Sequence, residues 1–415
     1  MTARGGMGIE QNWSILARRC WQTLLWAALG FFWLLWFEIF VVHMLPRLGY
    51  LTGRQVSIDP PCITPECDFS AFWPAGLLAR TRDFSRLYTP SQFLAFQRQA
   101  ISPHATLDAF FYPPFTLLPS AAISWLPFED AFFVWTLVFT TLSILLLRKA
   151  RFTWRVILAG LLCPAALWNL ELGQLGVIDG ALLIAGLMCT CRNQAFAGGV
   201  LGLLACKPQA GIMVPFALLA ERSWSTFFYF IAAVSFLGLL TIISFGPDSW
   251  LAYEKIGRAY TTYVLQAAFN SHAYTGGGVS IFWMLRSFGA SLPVSYFWQL
   301  FCTLAAGICC FLVWRQQEVP YLDKVGITVL LSLLATPYAY VNDMSAGSFM
   351  LAALAEKRIW RLHTSDVLFW LWPAFCQLTA ERTGILFTPL VVMFSTWHIM
   401  REAGLFRRVS KSITA

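Results

Sequence analysis

Charge is scarce in this chain. Only 12% of its 415 residues are Asp, Glu, Lys or Arg, against 58% hydrophobic residues, and no stretch reads as a soluble domain of ordinary surface. A soluble globular enzyme is excluded. Acidic residues are the scarcer sign, 21 against 29 Lys and Arg, and a net charge of +8 raises the question of a nucleic-acid partner. The basic residues fall instead in short clusters between apolar runs, as in loops retained in the cytoplasm. We read the charge as topology, with no nucleic acid implied. A disulfide scaffold is also missing, because most of the eleven cysteines (Cys163, Cys189, Cys206, Cys302, Cys309, Cys310, Cys376) lie inside apolar segments, where thiols behave as small core groups. Only Cys62 and Cys67 share a loop, and they are as readily two free thiols as a bridge. No cleavable signal peptide, internal repeat or metal-ligand set is legible, and no cofactor is expected.

What is present is apolar sequence from Trp21 almost to the end. This is the pattern of an all-α polytopic membrane protein, one integral-membrane domain over residues 1–415. The run Trp21–Leu45 is long enough to span. Arg4, Arg18 and Arg19 before it place the amino terminus inside, and the first loop, residues 46–110, outside. Amphipathic pieces of that loop, Ala71–Ala79 and Pro90–Gln99, suit short helices lying in the interface.

Two topologies fit the next segments, each with about twelve crossings. In one, the stretch after Tyr112-Pro113-Pro114 crosses and 195–220 is a single helix. In the other, that stretch is re-entrant and Lys207-Pro208 is an outer hinge between two short helices, since proline removes a backbone donor. The second puts Arg148, Lys149, Arg151, Arg155 and Arg192 inside and is preferred. A second outer loop covers residues 246–290, and the turn from Pro337 to Ser345 is also outside. Arg407, Arg408 and Lys411 in the tail fall inside.

The outer face therefore gathers Asp68, Tyr112, Gly173-Gln174, Lys207, His272 and the stretch Tyr338 to Asp343. A carboxylate among aromatic residues at a membrane surface needs a function or a partner. As general base, Asp68 would take a hydroxyl proton. A cation such as Lys207 would hold a lipid phosphate as its charge grows, and rings such as Trp73 would carry sugar and chain. Each residue also has a plainer role. Asp68 suits the N-cap of a helix, Lys207 a side chain snorkelling beside a helix break, and Gly173-Gln174 a helix stop. Tyr112-Pro113-Pro114 suits a rigid helix start, His272 a solvated loop histidine, and Asp343 the cap of the next helix. Glu38 and Glu171, in or beside apolar runs, suit packing or pairing.

Several short signals occur in a telling order: Asp68-Phe69 with Phe72-Trp73 and Tyr88, Tyr112-Pro113-Pro114, Gly173-Gln174, Gly198-Gly199 to Gly202 with Lys207-Pro208-Gln209, and Pro337-Tyr338 leading to Asp343. Together, over about residues 60–355, the chain resembles glycosyltransferase family 87 of the GT-C superfamily. The resemblance implies a GT-C fold with interfacial and re-entrant helices, and an active site facing the periplasm of a bacterial plasma membrane, with both termini cytoplasmic. It further implies a polyprenyl-phosphate-linked hexose donor, often mannose, and a lipid or glycan hydroxyl as acceptor. The catalytic base of the superfamily corresponds to Asp68. Substrate contacts are expected from Lys207, Tyr112, Gln174, His272, Tyr338, Asn342, Asp343 and Trp73. Family members often carry His or an aromatic residue where this chain has Asn342. The implied reaction is a single inverting displacement without metal. A transporter or flippase of a lipid-linked sugar is the alternative, since broken helices suit it too.

Overall fold

The computed structural model describes residues 6–51, 68–272 and 274–405, and among these it is helical throughout. The Cys62–Cys67 pair and the basic tail with Arg407, Arg408 and Lys411 lie outside the described residues. Helix α1 (Gly6–Leu51) carries the first apolar run uninterrupted. Three helices of the first loop follow: α2 (Phe69–Thr81), α3 (Phe84–Tyr88) and α4 (Pro90–Ala100). The sequence suggested that Ala71–Ala79 lies in the interface. A short helix does form there, and its residues Phe69 to Gly76 are all buried within the protein. Helix α2 packs within the protein, against α5 (Leu117–Ile123), where Gly76 rests on the Ser120 carbonyl and leaves no room for a Cβ.

The stretch after Tyr112 is short. Pro113 and Pro114 start a 3-10 turn that runs into α5, which ends at Ile123, and at 1.5 Å per residue this segment falls well short of the roughly 30 Å hydrocarbon core. Helix α6 (Phe128–Lys149) is long enough to cross. Next, α7 (Trp154–Leu161) and α8 (Pro164–Leu172) form one apolar stretch bent by 63° at Cys163-Pro164. Helix α9 (Gly176–Cys189) is buried on nearly every side. Then α10 (Gln194–Gly202) tightens into a 3-10 turn to Cys206 and breaks at Lys207, whose φ of −135° and ψ of 76° are not helical. After Pro208 the chain re-forms as α11 (Val214–Glu221).

Helix α12 (Trp224–Phe245) turns an apolar face outward through Phe228, Phe236, Leu239 and Ile243. The short α13 (Asp248–Ala252), α14 (Arg258–Gln266) and α15 (Ile281–Ser287) build the second loop. Helix α16 (Leu292–Arg315) again exposes Phe297, Phe301, Leu304 and Ile308, as a lipid-facing helix does. Behind it lie α17 (Tyr321–Leu334) and α18 (Ser345–Lys357), both almost wholly buried. The chain closes with α19 (Thr364–Leu371), α20 (Cys376–Thr383) and α21 (Thr388–Glu402).

Four described helices are long and apolar enough to span, or five with the bent α7–α8 pair. Twelve crossings are therefore not established. Helices α9, α17 and α18 are shorter and are buried inside the bundle, where small residues bring backbones close. Gly180 meets Ala346, Gly347 meets Phe369, and Gly160 meets Phe349.

Helices α9 and α18 also separate two faces. At one end, the Thr153 hydroxyl donates to Glu356 at 2.7 Å and Lys357 pairs with Asp323 at 2.6 Å. Cys189, at the last turn of α9, feels Arg192, Lys149 and Arg151. The basic clusters that the preferred topology puts together thus share one face. The opposite ends of the same two helices carry Gln174 and Asp343.

Candidate active site

Asp68 occupies the position before the first turn of α2, but its side chain makes no capping bond to that helix. The carboxylate is turned across to Gln174, whose amide NH2 donates to Asp68 Oδ2 at 2.6 Å. Gln174 is itself fixed, since its Oε1 accepts from the Tyr112 hydroxyl and from the Leu175 N–H, each at 3.1 Å. Two donors on the oxygen leave the NH2 to face the carboxylate.

Gln174 reaches this place because Gly173 stops α8 in the left-handed conformation, φ 68°. A Cβ there would come within 2.7 Å of the Phe69 Cβ, so glycine is required twice over, by torsion and by space. The Gly173 carbonyl is then held by Trp135 Nε1 at 2.9 Å. Phe69, Phe72, Phe132, Trp135 and Tyr112 pack ring against ring around it, the Phe72 and Tyr112 centroids being 4.9 Å apart. An aromatic floor lies beneath the Asp68–Gln174–Tyr112 chain.

On the other side of Tyr112 sits a buried ion pair. Lys207 Nζ donates to Asp343 Oδ1, and Asp343 Oδ2 accepts the Tyr340 N–H at 3.0 Å. Asp343 therefore caps the turn that leads into α18 and also holds the lysine. Burial pushes the Tyr112 hydroxyl pKa up, with Lys207 opposing and Asp68 and Asp343 reinforcing the shift. This phenol stays protonated and donates. It connects the acid on one side with the cation on the other.

Two further acids belong to this neighbourhood, and sequence reasoning missed both. Asp108 accepts from the Ser70 hydroxyl at 3.3 Å. Burial first, then the nearby Asp68 charge, raises its carboxyl pKa well above the usual carboxylate range. Asp179, on the first turn of α9 and 4% exposed, feels the Lys207 and Asp343 charges and has no partner for Oδ2. A carboxylate inside an apolar run was a legible signal.

The other predicted contacts are placed elsewhere. Trp73 is buried against Phe128 and donates to the Leu126 carbonyl at 2.9 Å, in the aromatic core. His272 is exposed, with Nδ1 3.9 Å from Glu381. Tyr338 packs at the edge of a separate apolar cluster formed by Phe282, Trp283 and Leu386. Asn342 is buried, its carbonyl lying against Gly176 where any Cβ would clash. The second loop meets the Tyr338–Asp343 turn through a bridge between Gly278 and Tyr340.

A family model described as glycosyltransferase family 87 matches residues 110–337, more than half of the chain. The chain belongs to glycosyltransferase family 87. It is thus a glycosyltransferase, and its long apolar helices make it a membrane one. The matched region of this family 87 protein includes Tyr112, Gln174, Lys207 and His272; Asp68 lies before it, and Tyr338, Asn342 and Asp343 after it. Searches among curated proteins and solved structures give no significant match.

Two expected results follow from this geometry. Gln174→Ala removes the group that fixes the Asp68 carboxylate, and turnover is expected to fall by about 10²-fold, the cost of a loosened side chain in the candidate site; initial rates at saturating donor, with circular dichroism as the folding control, measure it. Asp108→Asn stabilises the protein in a pH-dependent way. Because the folded pKa is raised, the wild type loses stability as pH climbs above about 3.9, where the unfolded carboxyl ionises, until the folded group ionises too. The variant's gain in unfolding temperature is therefore small near pH 4 and larger at pH 8.

Proposed function

We propose that this glycosyltransferase moves a hexose, mannose foremost, from a polyprenyl-phosphate-linked donor to a lipid or glycan hydroxyl, with inversion. The observation that carries the reading is the Asp68 carboxylate, held at 2.6 Å by an immobilised Gln174 instead of capping its own helix. The acceptor hydroxyl gives its proton to Asp68 as its oxygen forms the new bond to the anomeric carbon. The bond from that carbon to the phosphate oxygen breaks, and its electron pair leaves on the polyprenyl phosphate. Phosphate is a good enough leaving group that no strong acid is needed, and Lys207 stabilises the charge it acquires. In this reading Asp343 stores and aims the lysine, and Tyr112 links the two halves of the site. No metal enters the reaction.

The positive-inside argument puts this face in the periplasm of a bacterial plasma membrane and both termini in the cytoplasm. A flippase would bind the same donor without consuming it. Liposomes containing the purified protein, with polyprenyl phosphates bearing different hexoses and a membrane extract as acceptor, distinguish the two. We expect polyprenyl phosphate and one glycosylated product by mass spectrometry, the preferred hexose being mannose. Movement of intact donor across the bilayer with no product would replace the transferase reading.

A further inference from the structure

The face opposite Asp68 carries a second constellation that the transfer reaction does not use. His363 begins α19, while His398 and Glu402 lie one turn apart on the last turns of α21. His363 Nε2 is 2.8 Å from Glu402 Oε1 and His398 Nε2 is 3.9 Å from the same oxygen. The two imidazole rings lie 4.3 Å apart, centroid to centroid. The three ligand atoms fall within 4.8 Å of one another. A four-coordinate ion with bonds of about 2.0–2.1 Å needs ligand atoms roughly 3.3 Å apart, so small side-chain movements close the set.

Two observations distinguish this cluster from a plain salt-bridge network. His398 Nε2 is buried and has no hydrogen-bond partner, an expensive state for a ring nitrogen. The arginine ion-paired to the cluster is already engaged: Arg358 gives one guanidinium nitrogen to Glu402 Oε2 at 2.5 Å and another to Asp366. Asp366 balances the Arg358 charge, and Glu402 Oε1 faces the two imidazoles, His363 Nε2 at 2.8 Å and His398 Nε2 at 3.9 Å. Asp343 and Arg358 flank opposite ends of α18, about 20 Å apart at 1.5 Å per residue, so this site is separate from the Asp68 chemistry.

We propose that His363, His398 and Glu402 bind a divalent transition-metal ion of the zinc class, through two nitrogens and one carboxylate oxygen. Imidazole with carboxylate favours Zn, Co, Ni or Fe(II) over Mg or Ca. The ion joins the start of α19 to the end of α21, and its remaining coordination position faces the aqueous side, where His363 and Glu402 are about one-third exposed.

The test uses full-length untagged protein in detergent, stripped with chelator and titrated with Co(II) as a spectroscopic probe, with Zn(II) as competitor. The expected result is one saturable equivalent that zinc displaces, with affinity falling at least about tenfold in His398→Ala and in Glu402→Gln. Binding should also weaken as pH falls, because protons compete with the metal for the imidazole nitrogens, a readout that needs no variant. No saturable equivalent in the wild type, binding that does not change with pH, or unchanged binding by the folded His363→Ala/His398→Ala double variant would overturn the proposal.

Discussion

Asp68→Asn lowers turnover by about 10³-fold and leaves the fold and donor affinity close to wild type. The substitution keeps side-chain size and can still pair with Gln174, but it removes the carboxylate that, in the proposed mechanism, takes the acceptor's proton. General-base catalysis contributes about 10²–10⁴-fold, so a loss in that range identifies the role. Because Asp68 makes no capping bond to α2, its replacement costs that helix no side-chain cap. Thermal unfolding in detergent and donor binding by fluorescence anisotropy provide the controls. A variant that instead loses stability by as much as it loses activity would assign Asp68 a structural role.

The second large effect concerns Lys207. The residue is 4% exposed, and its ammonium faces two acids, Asp343 in direct contact and Asp179 nearby. Removing one partner of a buried pair costs about 3–5 kcal/mol, because the other charge is left uncompensated in a low dielectric. Lys207→Met leaves two carboxylates stranded. Asp343→Asn leaves the lysine with Asp179 still facing it, and Asp179→Asn leaves the Lys207–Asp343 pair intact. The predicted order of destabilisation is therefore Lys207→Met, then Asp343→Asn, then Asp179→Asn, the last near zero or stabilising. Equilibrium unfolding of the three variants in mixed micelles measures the order, and the reverse order would contradict this account of the cluster. Turnover should be lost in Lys207→Met even where added lipid restores its fold.

Much of the site was legible because particular residues leave few options. Pro208 forces a break, and the helix does break at Lys207. Gly173 marks a left-handed stop, which is what delivers Gln174 to Asp68. Asp108 was hidden, since one acid in an irregular loop carries no periodic signal and its closeness to Asp68 depends on tertiary packing. Asp179 was visible as an acid in an apolar run but lacked a partner nearby in sequence. Trp73 was picked for its aromatic character, yet ring chemistry alone does not say whether a side chain faces a substrate or the core. Helix α2 shows the same limit: its pattern marks a short helix, but not that α5 and α6 cover it. The number of crossings is not settled by hydropathy for a different reason, because hydropathy reports burial in protein and in lipid alike.

The most direct test is a single-turnover reaction of the purified protein with a polyprenyl-phosphate-linked hexose and acceptor extract. Wild type and Asp68→Asn are compared for product mass and anomeric configuration. We predict one hexose added, an equal amount of polyprenyl phosphate released, and the configuration inverted, in the wild type alone. Retention of configuration, or full turnover by Asp68→Asn, would contradict the account.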